Sequence, residues 1–251
     1  MLHHTRGIAL HTTKFSETSI IARVYTELFG LQSYLVKGIR SPRSKIKPAL
    51  FQPMTLLDLT VYHKEKNTLQ NIREAGNHYP YQSISTDIRK SSVLLFINEL
   101  IFKSINEVEP NQGLFNFLYE NCIRFDRLSE NIPLFPLWFS IHFSRFLGFW
   151  PAYEDSPEKQ IFNLMEGTFQ ASIPEHDLYL DKEQSRLLKT LMEAGTKQQE
   201  HVAIHPVSGI RLHFNYELRN VLLEKILLYY QLHLPGFHGI RSHVVLHEVF
   251  S

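Results

Sequence analysis

Cysteine is almost missing from this chain: Cys122 is the only one in 251 residues. An internal disulfide and a multi-cysteine zinc ribbon are therefore both impossible. Long apolar runs are missing too. Nothing approaches the roughly 20 apolar residues a membrane-spanning helix needs. The start, Met1-Leu2-His3-His4, lacks the basic, then apolar, then small-residue order of a secretory signal. Catalytic signatures are equally scarce: there is no Walker phosphate loop, no Gly-x-Ser-x-Gly elbow and no His-Glu-x-x-His zinc helix. With 43% hydrophobic and 20% charged residues, what remains is ordinary globular composition. These absences predict a cytoplasmic protein with no membrane segment, no cofactor and no enzymatic turnover. Its length suits one large domain or two ordinary ones.

Acidic residues are also unevenly missing. The chain as a whole carries 26 Lys/Arg against 25 Asp/Glu, a net charge of +1. Residues 1–79 hold eleven of those cations and only five acids, a net of +6, which leaves −5 on the remainder. No acid lies between Glu27 and Asp58, while Lys37, Arg40, Arg43, Lys45 and Lys47 fall within eleven positions. A charge run is ordinarily a solvated loop. A run with no compensating carboxylates points instead to a polyanion partner for this part alone.

The first 79 residues have the period-two pattern of strands. Runs at Ile8 to Phe15, Ser19 to Tyr25, Gln32 to Lys37, Thr55 to His63 and Leu69 to His78 are separated by short turns. In the fourth, Leu57, Leu59 and Val61 share one face and Asp58 and Thr60 the other. Five short strands suggest a small closed barrel; the oligonucleotide-binding (OB) fold fits, and so does an SH3-like barrel. From about Ser85 the period becomes helical. Val93, Ile97, Leu100, Ile101 and Ile105 form one stripe, and Leu114, Phe117, Leu118 and Cys122 another. Pro136 suits the first turn of a helix ending near Gly148, and Asn215 to Leu234 is apolar nearly all round, as a central bundle helix should be. One segment breaks the helical rule: Ile161 to Phe169 predicts a hairpin turning at Glu166-Gly167. The fold class is α+β: a five-stranded barrel over residues 1–80, then an all-α domain over 81–251 with a β-hairpin insert at about 158–172.

Among candidate chemical groups, Cys122 lies on an apolar stripe beside Leu118 and reads as a small buried hydrophobe. The pairs His201/His205 and His243/His247 have metal-like spacing but no third ligand nearby, and the run around His243 looks β-like, so no metal site is expected. Binding chemistry is richer. Gly38, Pro42 and Pro48 hold the basic stretch out of a helix, and its cations suit a phosphodiester backbone, which makes binding salt-sensitive and sequence-blind. Lys37, Arg40, Arg43, Lys45 and Lys47 are the predicted phosphate contacts, with Lys14 and Arg23 extending the path. Ser41 and Ser44 offer hydroxyl donors. Phe15, Tyr25, Tyr34 and Phe51 interleave with the basic strands and could stack on bases, although a barrel core wants the same residues.

Several spaced segments resemble the RecO family of bacterial DNA repair proteins. They are Ser16-Glu17-Thr18-Ser19-Ile20-Ile21, Tyr25-Thr26-Glu27-Leu28-Phe29-Gly30, Val36-Lys37-Gly38-Ile39-Arg40 with Ser44-Lys45, and Gln52-Pro53. Tyr230-Gln231-Leu232-His233-Leu234 through Arg241-Ser242 resembles the family's closing helix and tail. The likeness covers nearly the whole chain, strongest over 7–62 and weakest from about 150 to 210. It implies an N-terminal OB barrel, a helical C-terminal domain and a non-catalytic recombination mediator, cytoplasmic and nucleoid-associated. Such a protein binds single- and double-stranded DNA, anneals complementary strands and, with RecR, helps load RecA onto DNA coated by single-strand-binding protein. The helical body is then the expected platform for partners, including the acidic C-terminal tail of that protein, and the chain is a monomer on its own. Many members carry a four-cysteine zinc element; Phe149 to Leu180 has no cysteine, so the hairpin stands in its place and zinc is not carried over. The rival reading is an interaction adaptor whose basic barrel grips an acidic protein instead of DNA.

Overall fold

The computed structural model describes residues 1–39, 41, 44, 46–105, 109–153, 156–194, 207, 210 and 215–251. These fall into two compact units, Met1–Gln82 with Ile105–Asp126, and Ser83–Ser104 with Arg127–Ser251.

In the first unit, β1 (Leu2–Lys14), β2 (Ile20–Thr26), β3 (Gly30–Val36), β4 (Leu56–Tyr62) and β5 (Leu69–Asn77) close a barrel in the order β1-β2-β3-β5-β4. β1 is long enough to serve two neighbours: its first half pairs with β4 and its second with β2, and a register shift between Ala9 and His11 lets it bend. Gly7 sits where the two pairings overlap, opposite both Thr26 and Leu57. The alternation seen in the sequence is the inside-outside alternation of the barrel. Ala22, Val24, Tyr34, Val36, Leu57, Leu59 and Val61 point inward and are almost wholly buried. Burying each such aliphatic side chain contributes about 1.5–3 kcal/mol. The barrel closes where β3 and β5 run parallel through Ser33–Leu69, Tyr34–Gln70 and Leu35–Asn71. The buried Gln70 secures that edge: its amide donates to the carbonyls of Lys64 and Asn67 and accepts from Lys64 N.

The helix α2 (Gln112–Arg127) lays Phe115 and Tyr119 against this barrel. Arg6 on β1 donates twice to the Glu27 carboxylate, at 2.8 and 2.7 Å, and its guanidinium lies 4.8 Å from the centre of the Tyr119 ring. The bond to Arg6 holds the Glu27 carboxyl below its usual range.

The second unit contains α1 (Ile88–Ser104), α3 (Phe135–Ser144), α4 (Lys182–Glu193), α5 (Tyr216–His233) and α6 (His243–Val249). Every residue of α3 is buried, so it is the centre of this unit. Tyr230 of α5 donates to the carbonyl of Ser140 at 2.6 Å, and Trp138 donates through its indole N–H to Ala194 O. His142 stacks on Trp138 with ring centres 4.5 Å apart, and burial pulls its pKa down to about 4, which makes it a neutral core residue. α4 begins with Asp181, whose carboxylate accepts from Glu183 N and Gln184 N while Gln184 returns the bond, a full capping box.

The expected hairpin is β6 (Ile161–Asn163) with β7 (Thr168–Gln170), and β8 (Tyr179–Leu180) adds a third strand beside β6. The turn closes on Gly167, which has φ +66 and donates to Asn163 O. One expectation is corrected. The run around His243 is helical, because Glu99 from α1 caps its start with bonds to Arg241 N and Ser242 N. His201 and His205 lie outside the described residues. Among the described residues no three His, Cys, Asp or Glu side chains converge as a metal site would require, and no helix is long and apolar enough to cross a membrane.

Candidate nucleic-acid interface

Where β3 ends, the chain turns at Lys37-Gly38-Ile39, with Gly38 at φ +66, a conformation that favours glycine. Beyond it, Ser41 N donates to Gly38 O and Ser44 N to Ser41 O, each at 2.9 Å. This path anchors Ile39 in the barrel core and leaves Lys37 exposed. Beside it, the parallel pairing brings Asn71 and Arg73 of β5 alongside. Together these segments enclose a groove of about 410 Å³, lined by Lys37, Gly38, Ser41, Ser44, Asn71 and Arg73 among others.

The predicted contacts are distributed as follows. Lys37 and Ser44 line the groove, and exposed Lys47 follows Ile46, which also lines it. Arg40, Arg43 and Lys45 lie outside the described residues. The Ser44 hydroxyl donates to Ile46 O at 2.7 Å, so its proton serves the loop's own backbone. Lys14 is exposed at the last position of β1, and Arg23 is half-buried on β2 between His11 and Ser33, both outside the groove lining. Of the four aromatic candidates, Tyr25, Tyr34 and Phe51 are core residues at 2% exposure or less, and only Phe15, 57% exposed, faces solvent.

Sequence reasoning missed Asn71 and Arg73. Arg73 pairs with Glu74 at 3.4 Å, with 51% and 68% of the two side chains exposed. So open a pair is worth little and leaves the guanidinium available to an anion. The signal that could have found these residues is the parallel closure of an OB barrel, which places the start of the last strand beside the end of the third. Among the described residues, the groove can therefore offer an anion the separated cations Lys37 and Arg73, the exposed carboxamide of Asn71 and the backbone at Gly38.

Family models described as "Recombination protein O N terminal" and "Recombination protein O C terminal" match residues 1–81 and 85–236. A protein of Phocaeicola vulgatus named DNA repair protein RecO is 33% identical over 251 residues, covering 100% of both chains. Proteins of the same name from Bacteroides fragilis and Flavobacterium johnsoniae are each 32% identical, covering 100% and 98% of both chains respectively. On these matches, together with the five-stranded barrel and the helical unit, the chain belongs to the RecO family of DNA repair proteins.

Proposed function

We propose that this chain acts as a recombination mediator in DNA repair, binding single- and double-stranded DNA through residues 1–80 and annealing complementary strands without catalytic turnover. Residues 81–251 then serve as the platform for RecR and for the acidic tail of single-strand-binding protein, so that RecA can be loaded onto coated DNA. The site of action is the cytoplasm, at the nucleoid. The observation that carries the reading is the groove in which Lys37 and Arg73, from opposite sides of the β3–β5 closure, flank one cleft on the cationic N-terminal part of the chain. Phosphates lying between them would release condensed counterions, which gives affinity without sequence preference.

The test is to replace Lys37, Lys47 and Arg73 with Gln and titrate labelled oligonucleotides at several salt concentrations. Each lost phosphate contact lowers the slope of log affinity against log salt by about 0.7 for single strands and about 0.9 for duplex. Unchanged affinity and slope would overturn the assignment. Binding of an acidic polypeptide that oligonucleotides fail to displace would favour the adaptor reading instead.

A further inference from the structure

One cross-strand row runs around the outside of the barrel: Leu2, Tyr62, Asn71, Leu35, Ile21 and Thr13 are register partners from strand to strand. Register partners project from the same face of a sheet. This face is the outward one, since Val61 before Tyr62, and Tyr34 and Val36 around Leu35, are buried in the core. Adjacent strands lie about 5 Å apart, so Tyr62 stands one strand spacing from Asn71, which lines the groove. Tyr62 is 46% exposed, so its ring is open to solvent.

We propose that Tyr62 is the base-stacking residue of this surface, holding an unpaired nucleobase against its ring while the adjoining phosphates lie between Lys37 and Arg73. The inference rests on the reading that the barrel binds DNA, and adds the residue that distinguishes single strands from duplex. Stacking needs an accessible π-face within reach of the cations that track the backbone, and any base can satisfy it. Tyr62 meets that condition through its row. Leu2, 46% exposed, and half-buried Leu35 supply apolar surface in the same row for the face of a base. Phe15 is more exposed, at 57%, but lies in the β1–β2 turn, beyond the paired residues of the row.

The experiment compares wild type, Tyr62→Ala and Tyr62→Phe in binding a labelled oligothymidylate and a duplex of equal length, across a salt series. Tyr62→Ala should weaken single-strand binding about five- to hundredfold. Tyr62→Phe should stay close to wild type. Duplex affinity and both salt slopes should not move, because paired bases are not offered to the ring and stacking releases no counterions. Single-strand affinity unchanged in Tyr62→Ala, or equal losses on single strand and duplex, would overturn the proposal. A Lys37→Gln/Arg73→Gln control separates the two levels. If the control weakens binding and Tyr62→Ala does not, only the stacking role fails; if the control changes nothing, the groove assignment fails and this inference with it.

Discussion

Replacing Glu99 with Gln should loosen the end of the second unit in a pH-dependent way. Glu99 on α1 accepts from Arg241 N at 3.1 Å, Ser242 N at 2.9 Å, the Ser242 hydroxyl at 2.6 Å and the Lys103 ammonium at 2.9 Å. Burial alone would raise its pKa, but these donors outweigh burial and bring it down to about 2 from the usual 4.5. A carboxyl depressed in the folded state contributes stability that is complete above the unfolded pKa and is lost as pH falls through the folded one. The window here is therefore about pH 5 down to about pH 2. The full shift corresponds to about 3 kcal/mol, and since 22% of the side chain remains exposed, screening reduces this to about 2 kcal/mol. Glu99→Gln keeps one oxygen acceptor and loses the charge, so it should destabilise by about 1–2 kcal/mol at pH 7. Urea unfolding of both proteins at pH 7, 4 and 3 measures whether the gap narrows, and hydrogen exchange of the α6 amides measures whether the loss is local. A gap independent of pH, or α6 exchange identical in the two proteins, would refute the reasoning.

Two further outcomes follow from packing. A Cβ added at Gly7 would lie 2.8 Å from Val24 Cγ1 and 3.0 Å from Leu59 Cδ1, both on fully buried side chains. Gly7→Ala should therefore cost about 1–3 kcal/mol by overpacking, and an unchanged urea midpoint would show that the barrel yields there. Cys122 is 3% exposed and burial pushes its thiol up to about 12, so a thiol reagent should label it only as the protein unfolds in urea. Rapid labelling of the native protein would contradict that burial.

The barrel was legible because alternation is a local signal. Leu57, Leu59 and Val61 declare a buried face within five residues, and the structure buries all three. β1 begins earlier than its apolar run because Leu2, His3 and His4 pair with Tyr62, Val61 and Thr60, partners some sixty positions away. The helix at His243 was hidden for a related reason. His243-Val244-Val245 looks β-like in isolation, and the carboxylate that caps it belongs to another helix. The capping box at Asp181 and Gln184, by contrast, was present in the sequence and marks a helix start that periodicity alone passed over. The basic loop was visible as composition, while Arg73, Asn71 and Tyr62 needed the parallel closure before they could be placed near it. The aromatic residues show the limit most clearly. Nothing local separates the core Tyr34 from the exposed Tyr62 except which side of the pleat each occupies.

The short parallel seam between β3 and β5 has a thermodynamic consequence. Lys37 follows one strand of that seam and Arg73 continues the other, so the groove exists only while the seam is shut. A polyanion bridging the two would bind the closed barrel and not the open one, and mass action would make it a fastener as well as a ligand. Opening of the seam and occupancy of the groove are then reciprocal. A substitution inside the barrel that lets β5 fray would lower affinity without removing a single charge.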